Sequence, residues 1–181
     1  MMIQHYFYNC SQDHINRIDR NLFSDIVNTI QTLEKREKQS EINEDILISL
    51  AKQGWSFDTV PSSRSVLKRS NNRRLCLTSF TLEANWHSDF AKVFNQDSNQ
   101  ELVQLEVQFG KVESMFKDFC GFKIAYFERR LALGIELVMN DPNKYFANRK
   151  KSVSGMAYFD IAKQTLPAIG LNCPIWLIGI G

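Results

Sequence analysis

Asp89, Glu106 and Gln108 are the residues whose types and spacing best fit chemistry in this chain. In the stretch ELVQLEVQFGK, residues 101–111, alternation sends Val103, Leu105 and Val107 one way and Gln104, Glu106 and Gln108 the other. Leu102 stands apart, and Lys111 follows just past the end. Upstream, HSDFAKVFN reads as a second strand, and the intervening QDSNQ consists of turn-formers. Folding this hairpin between Asp97 and Ser98 sets Asp89 opposite Glu106 and His87 opposite Gln108. Directly opposed residues have Cβ atoms about 4.5–5.5 Å apart. Two carboxylates that close repel each other unless a cation lies between them or they share a proton. A hard divalent ion such as Mg²⁺ suits the pair, because it takes oxygen ligands and keeps several waters. Three other readings remain open from the residues alone. The acids could be a solvated surface pair. A one-residue slip would turn Asp89 to the other face. Asp97 could replace Asp89, although that moves the turn to Glu101–Leu102, inside a stretch that reads as strand.

The elements that must position this hairpin follow from hydrophobic period. NRIDRNLFSDIVNTIQTLEKREK places Ile18, Leu22, Ile26, Ile30 and Leu33 at helical spacing, with Asp19 or Asn21 as cap. NEDILISLAKQGW is a second helix, capped by Asn43 and stopped by Gly54. The segment 59–74 is a polar, basic loop. LCLTSFTLEANW is strand-like, and the hairpin follows it. Met115, Phe119, Phe122 and Tyr126 share one stripe of a long helix. LALGIELVM is a nearly continuous apolar run, as in a strand buried on both faces. A basic loop leads to a helix around MAYFDIAKQTLPAIG, and PIWLIGIG closes the chain as a further apolar strand. This order predicts an α/β fold of the α+β mixed kind: a mixed sheet of about five strands flanked by helices.

With 181 residues, 44% hydrophobic and 12% aromatic, the chain fits one domain, residues 1–181, with a substantial core. A net charge of +2 says little globally. Cys10, Cys76, Cys120 and Cys173 form no CxxC pair and accompany no histidine cluster, so a zinc site or disulfide framework is not expected. A reducing, cytoplasmic setting fits this cysteine usage. No signal pattern or membrane-length apolar run is present.

Base-rich segments add a function class. RSVLKRSNNRR carries Arg64, Lys68, Arg69, Arg73 and Arg74 with no acid among them, and NRKKSVSG carries Arg149, Lys150 and Lys151 among small polar residues. A charge run is usually a solvated face. Two of them beside a pair of acids raise the case for phosphate contacts.

An acid on one hairpin strand followed by Glu-x-Gln on the next resembles the PD-(D/E)xK nuclease core, in the variant where Gln replaces Lys. More narrowly, SDF at 88–90 with EVQFGK at 106–111 resembles the BglII/BstYI group of type II restriction endonucleases. Gly54–Trp55, the GIE of Gly134–Glu136, the loop with Ser154, Gly155 and Tyr158, and the terminal PIWLIGIG fall in the group's order, so the likeness spans most of the chain. The Asp89–Glu106 segment is longer than is usual there, which a longer hairpin accommodates.

The resemblance implies that Asp89 and Glu106 bind metal, with the backbone carbonyl of Val107 as third ligand. It places Gln108 where relatives carry Lys; an amide can orient a water or a phosphate oxygen but carries no charge. Lys111 then becomes the candidate for restoring positive charge, and His87 a possible phosphate contact. The second basic loop is implied in base readout, through Arg149, Lys150, Lys151, Ser152 and Ser154. The expected activity is Mg²⁺-dependent (Mn²⁺ substituting) cleavage of double-stranded DNA by a homodimer at a short palindrome, with a lean toward GATC. A repair or junction-resolving nuclease of the same fold and a DNA-binding protein with a decayed site are the alternatives.

Overall fold

The computed structural model describes residues 2–59, 72–82, 86–96, 99–129, 131–147 and 153–181; the side chains of 96 and 99 are excepted. Six strands form one sheet: β1 (Ile3–Tyr8), β2 (Ser56–Phe57), β3 (Phe90–Gln96), β4 (Asn99–Val107), β5 (Leu131–Met139) and β6 (Ile175–Ile180). Their spatial order is β1-β6-β5-β4-β3-β2. β4, β5 and β6 run parallel, and β1, β3 and β2 are antiparallel to their neighbours.

The expected mixed sheet is thus present, with three differences. Residues 3–8 and 56–57 add strands at its two edges, and the described residues of 75–86 form no strand. A 3₁₀ turn occupies Arg73–Cys76, and Leu77 joins His87 only through an isolated bridge. Leu77 and its neighbours face carbonyl-seeking side chains rather than a strand. The amide of Gln104 reaches the carbonyls of Leu75, Cys76 and Leu77, and Arg129 donates to those of Leu75 and Leu77.

One face of the sheet is covered by α1 (Gln12–Ile18), α2 (Leu22–Gln31) and α3 (Gln39–Lys52). The single N-terminal helix expected from sequence is divided. Ser11 caps α1 by accepting from the His14 N–H, and Asn21 holds the N-cap position of α2. α3 starts earlier than expected, after Lys38 rather than Asn43. It ends at Gly54, whose φ of +82° is open to glycine without strain. Ile26, Ile30, Ile46, Leu47 and Leu50 meet Val103, Leu105, Ile135 and Leu137 in this core, along with Trp55 and Trp176.

The opposite face is covered by α4 (Val112–Arg129) and α6 (Phe159–Ala168), with the one-turn α5 (Pro142–Tyr145) between β5 and α6 in sequence. Met115, Phe119 and Phe122 of the expected α4 stripe are buried against Leu131, Val138 and Leu177, and Tyr126 is partly exposed. No helix among the described residues is long and apolar enough to cross a membrane. All four cysteines are free.

Candidate active site

The hairpin has the register expected from its turn. Phe90 pairs with Leu105, Ala91 with Gln104, and so on to Gln96 with Asn99. Extended by one step, this register brings Asp89 level with Glu106. Asp97, the rival acid, lies outside the described residues. The predicted facing of His87 with Gln108 does not form, because His87 leaves the ladder to bridge Leu77.

Asp89 and Glu106 are fastened to each other's strands. The Asp89 N–H donates to Glu106 Oε2 at 3.0 Å, and the Val107 N–H donates to Asp89 Oδ2 at 2.9 Å. Each carboxylate thus accepts from the backbone of the other's strand, and the two side chains also interact with each other. The Asp89 carbonyl accepts from the Asp58 N–H at 3.0 Å, tying the end of β2 to the same point. Asp58 in turn receives Arg73 Nε at 2.5 Å and lies 3.8 Å from His87 Nδ1.

The polar row of β4 is not solvated. Gln104 is 0% and Glu106 7% exposed, because α4 and the 3₁₀ turn lie over them. The parallel register sets Glu136 of β5 beside Glu106. Glu136 is wholly buried, and neither of its carboxylate oxygens has a hydrogen-bond partner among the described residues. From α4, buried Asp118 accepts from Gln108 Nε2 at 2.6 Å, while Gln108 Oε1 accepts from the Gly110 N–H at 2.9 Å. The Gln108 amide is thereby oriented at both ends.

Crowding and desolvation show in the acids' proton affinities. Burial, then the charges of Asp89 and Asp118, hold Glu106 well above the ordinary carboxylate range; the Asp89 N–H and Lys117 oppose this. Burial also raises Glu136 well above it, reinforced by Asp118, Glu106 and Asp89. Asp118 is pushed up to about 6 by burial and the Asp89 charge, against the Gln108 hydrogen bond and Lys117. Asp89 is raised by burial and by Asp58, and is drawn back by the Val107 N–H, Lys117 and the Glu106 side chain. A cation among these acids would offset both their desolvation and their mutual repulsion.

The donor set fits a hard divalent ion. It offers oxygen alone, from Asp89 and Glu106, with unpartnered Glu136 oxygens behind them. No group of three or more His, Cys, Asp or Glu among the described residues is arranged to hold a metal by side chains alone. An ion here would rest on two carboxylates, a backbone carbonyl such as that of Val107, and water, as suits Mg²⁺.

The remaining expected site residues are placed as follows. Lys111 is exposed just before α4. Arg73 and Arg74 are exposed on the 3₁₀ turn beside the site, and Ser154 is exposed in the turn before α6. Arg64, Lys68, Arg69, Arg149, Lys150, Lys151 and Ser152 lie outside the described residues. The described residues that follow Ser152 lie beside the end of β4: the Val112 N–H donates to the Gly155 carbonyl and the Ala157 N–H to that of Gly110.

Asp118 and Lys117 escaped the sequence reading. The available signal was an acid three residues after Met115 and four before Phe122, on the stripe that α4 buries.

A family model described as "Restriction endonuclease BglII/BglIII" matches residues 3–180. Among solved structures, a crystal structure of restriction endonuclease BglII complexed with a DNA 16-mer is similar in fold. Its TM-score is 0.64 at 14% identity, covering 100% of this chain and 78% of that one. No curated protein matches the sequence.

Proposed function

The chain belongs to the BglII/BglIII family of restriction endonucleases and is a type II site-specific deoxyribonuclease; on that premise we propose that Asp89 and Glu106 are the centre at which it hydrolyses double-stranded DNA with Mg²⁺. The observation that carries this reading is the reciprocal fastening of the two carboxylates beside buried Glu136, whose oxygens have no hydrogen-bond partner among the described residues.

Asp89, Glu106 and the Val107 carbonyl hold the ion. When bound, Mg²⁺ lowers the pKa of a water and polarises the phosphoryl oxygen, and Mn²⁺ substitutes. Gln108, fixed by Asp118 and Gly110, presents an amide of set polarity to a water or phosphate oxygen. The sheet and α4 exclude bulk water, so a hydrogen bond or charge in the site acts more strongly than in solvent. Arg73 and Arg74, with Arg64, Lys68 and Arg69 of the same segment, contact backbone phosphates. Arg149, Lys150, Lys151, Ser152 and Ser154 read base edges.

A homodimer matches a palindromic site, with one active site for each strand. The resemblance favours a palindrome containing GATC. Phe116 and Phe127, exposed on α4, are apolar side chains that a second subunit would cover.

Plasmid digestion tests the reading. Discrete bands that require Mg²⁺ and vanish in Glu106→Ala, with DNA binding retained, are the expected result. Structure-dependent nicks would point instead to a repair nuclease, and binding without cleavage to a decayed site. Sequencing the cut ends tests the GATC assignment.

A further inference from the structure

Hydrolysing a phosphodiester adds negative charge to the phosphorus centre, and the carboxyl cluster around it carries the same sign. A metal bound by acids leaves that charge only partly matched, so a side-chain cation near the mouth of the site would act where charge develops. Most described cations in the neighbourhood are already engaged. Arg73 is ion-paired with Asp58. Arg129 donates to the carbonyls of Leu75 and Leu77 and lies over the Phe80 ring. Lys92 donates to the Gln53 carbonyl on the other side of β3.

Lys117 differs. It follows Phe116 on α4 and immediately precedes Asp118, whose carboxylate holds Gln108. It is exposed and forms no ion pair within 4.0 Å among the described residues. Its Nζ sits 5.5 Å from the centroid of the Trp86 ring. Trp86 stands three residues before Asp89, and its backbone carbonyl accepts from the Thr78 N–H. The ring lies against α4 where Gly121 offers no side chain: a Cβ there would meet the indole at 3.7 Å. Gly121 is one turn beyond Lys117, so the indole fills the space between α4 and the Asp89 segment and carries the ammonium on its face. Asp89, Glu106 and Asp118 all feel its charge.

We propose that Lys117, held on the Trp86 ring at the mouth of the carboxyl cluster, is a catalytic residue that contacts the scissile phosphate and stabilises its added charge, with Trp86 as its positioning residue. This rests on the nuclease reading above. An ammonium on an aromatic face keeps its charge without a carboxylate partner, so it can turn to phosphate without first breaking an ion pair.

The test is single-turnover cleavage of a duplex containing the recognition site at saturating enzyme and Mg²⁺, for wild type, Lys117→Ala, Lys117→Arg and Trp86→Leu. Affinity is measured separately by fluorescence anisotropy with each change on a Glu106→Gln background. The expected result is a loss of about 100-fold in the cleavage step for Lys117→Ala, with duplex affinity changed by less than about threefold. Lys117→Arg restores much of the rate, and Trp86→Leu loses about tenfold. Lys52→Ala, an exposed residue at the end of α3, cleaves as wild type. Because Lys117 is exposed, its variants melt with the wild type. Wild-type cleavage by Lys117→Ala, or a loss confined to affinity, overturns the assignment. A wild type that cuts no DNA overturns the nuclease reading, and this inference with it.

Discussion

β4 carries two opposite solutions to burial on one strand. Toward α1–α3, Val103 and Leu105 join a continuous apolar core. Toward α4, Gln104 and Glu106 are buried as deeply, beside Glu136 and Asp118. The first face stabilises, since each buried aliphatic side chain contributes roughly 1.5–3 kcal/mol. The second costs stability, because carboxylates lose water without gaining enough partners. The chain tolerates a destabilised face where function needs it and spans the same sheet with a conventional core behind it.

Substitutions on the two faces should therefore have opposite signatures. The largest effect on activity is expected from Glu106→Ala: cleavage falls by at least about 10³-fold, while thermal stability in EDTA holds or rises. An activity loss that merely tracks lost folding would break the contrast. Leu105→Ala, one position along the strand, is expected to cost about 2–5 kcal/mol through the cavity it leaves. Chemical denaturation measures this, and the folded fraction should still cleave.

A smaller effect sharpens the same point. Glu136→Gln keeps the shape but removes an ionisable group, and should stabilise the metal-free protein by ~1–2 kcal/mol at pH 8. Equilibrium denaturation with and without Mg²⁺ checks it, since the gain should shrink when the ion is bound.

The slope of stability with pH is the mildest test. Glu106, Glu136, Asp89 and Asp118 all bind protons more tightly folded than unfolded. Their favourable contribution is complete below the unfolded value of about 4, and is lost as pH rises through the folded values, about 6 for Asp118. In EDTA the melting temperature should fall between pH 5 and 8, and Mg²⁺ should flatten that fall. A melting temperature that climbs over this range without metal would show that the cluster is not under the strain described.

Much of this was legible in sequence because it is local. QDSNQ fixed the hairpin turn, the turn fixed the register, and the register brought Asp89 to Glu106. The apolar runs of β5 and β6 were equally plain. β1 was not, because IQHYFY lacks clean alternation and is a strand only through pairing with β6 at the far end of the chain. The segment after Cys76 misled for the opposite reason. Its apolar residues alternate like a strand's, but Gln104 and Arg129 claim its carbonyls, and Glu128 accepts from Ser79, Phe80 and Thr81. Asp118 and Lys117 join the site through packing of α4 across the sheet, a contact that hydrophobic period predicts only as a face.

The most direct test of the carboxylate centre is a crystal of the protein grown with Mn²⁺ and examined by anomalous scattering. A single strong peak between the Asp89 and Glu106 carboxylates is the expected result. A protein that cuts DNA with Mn²⁺ yet shows the ion bound elsewhere, with no peak between those two side chains, would contradict the account.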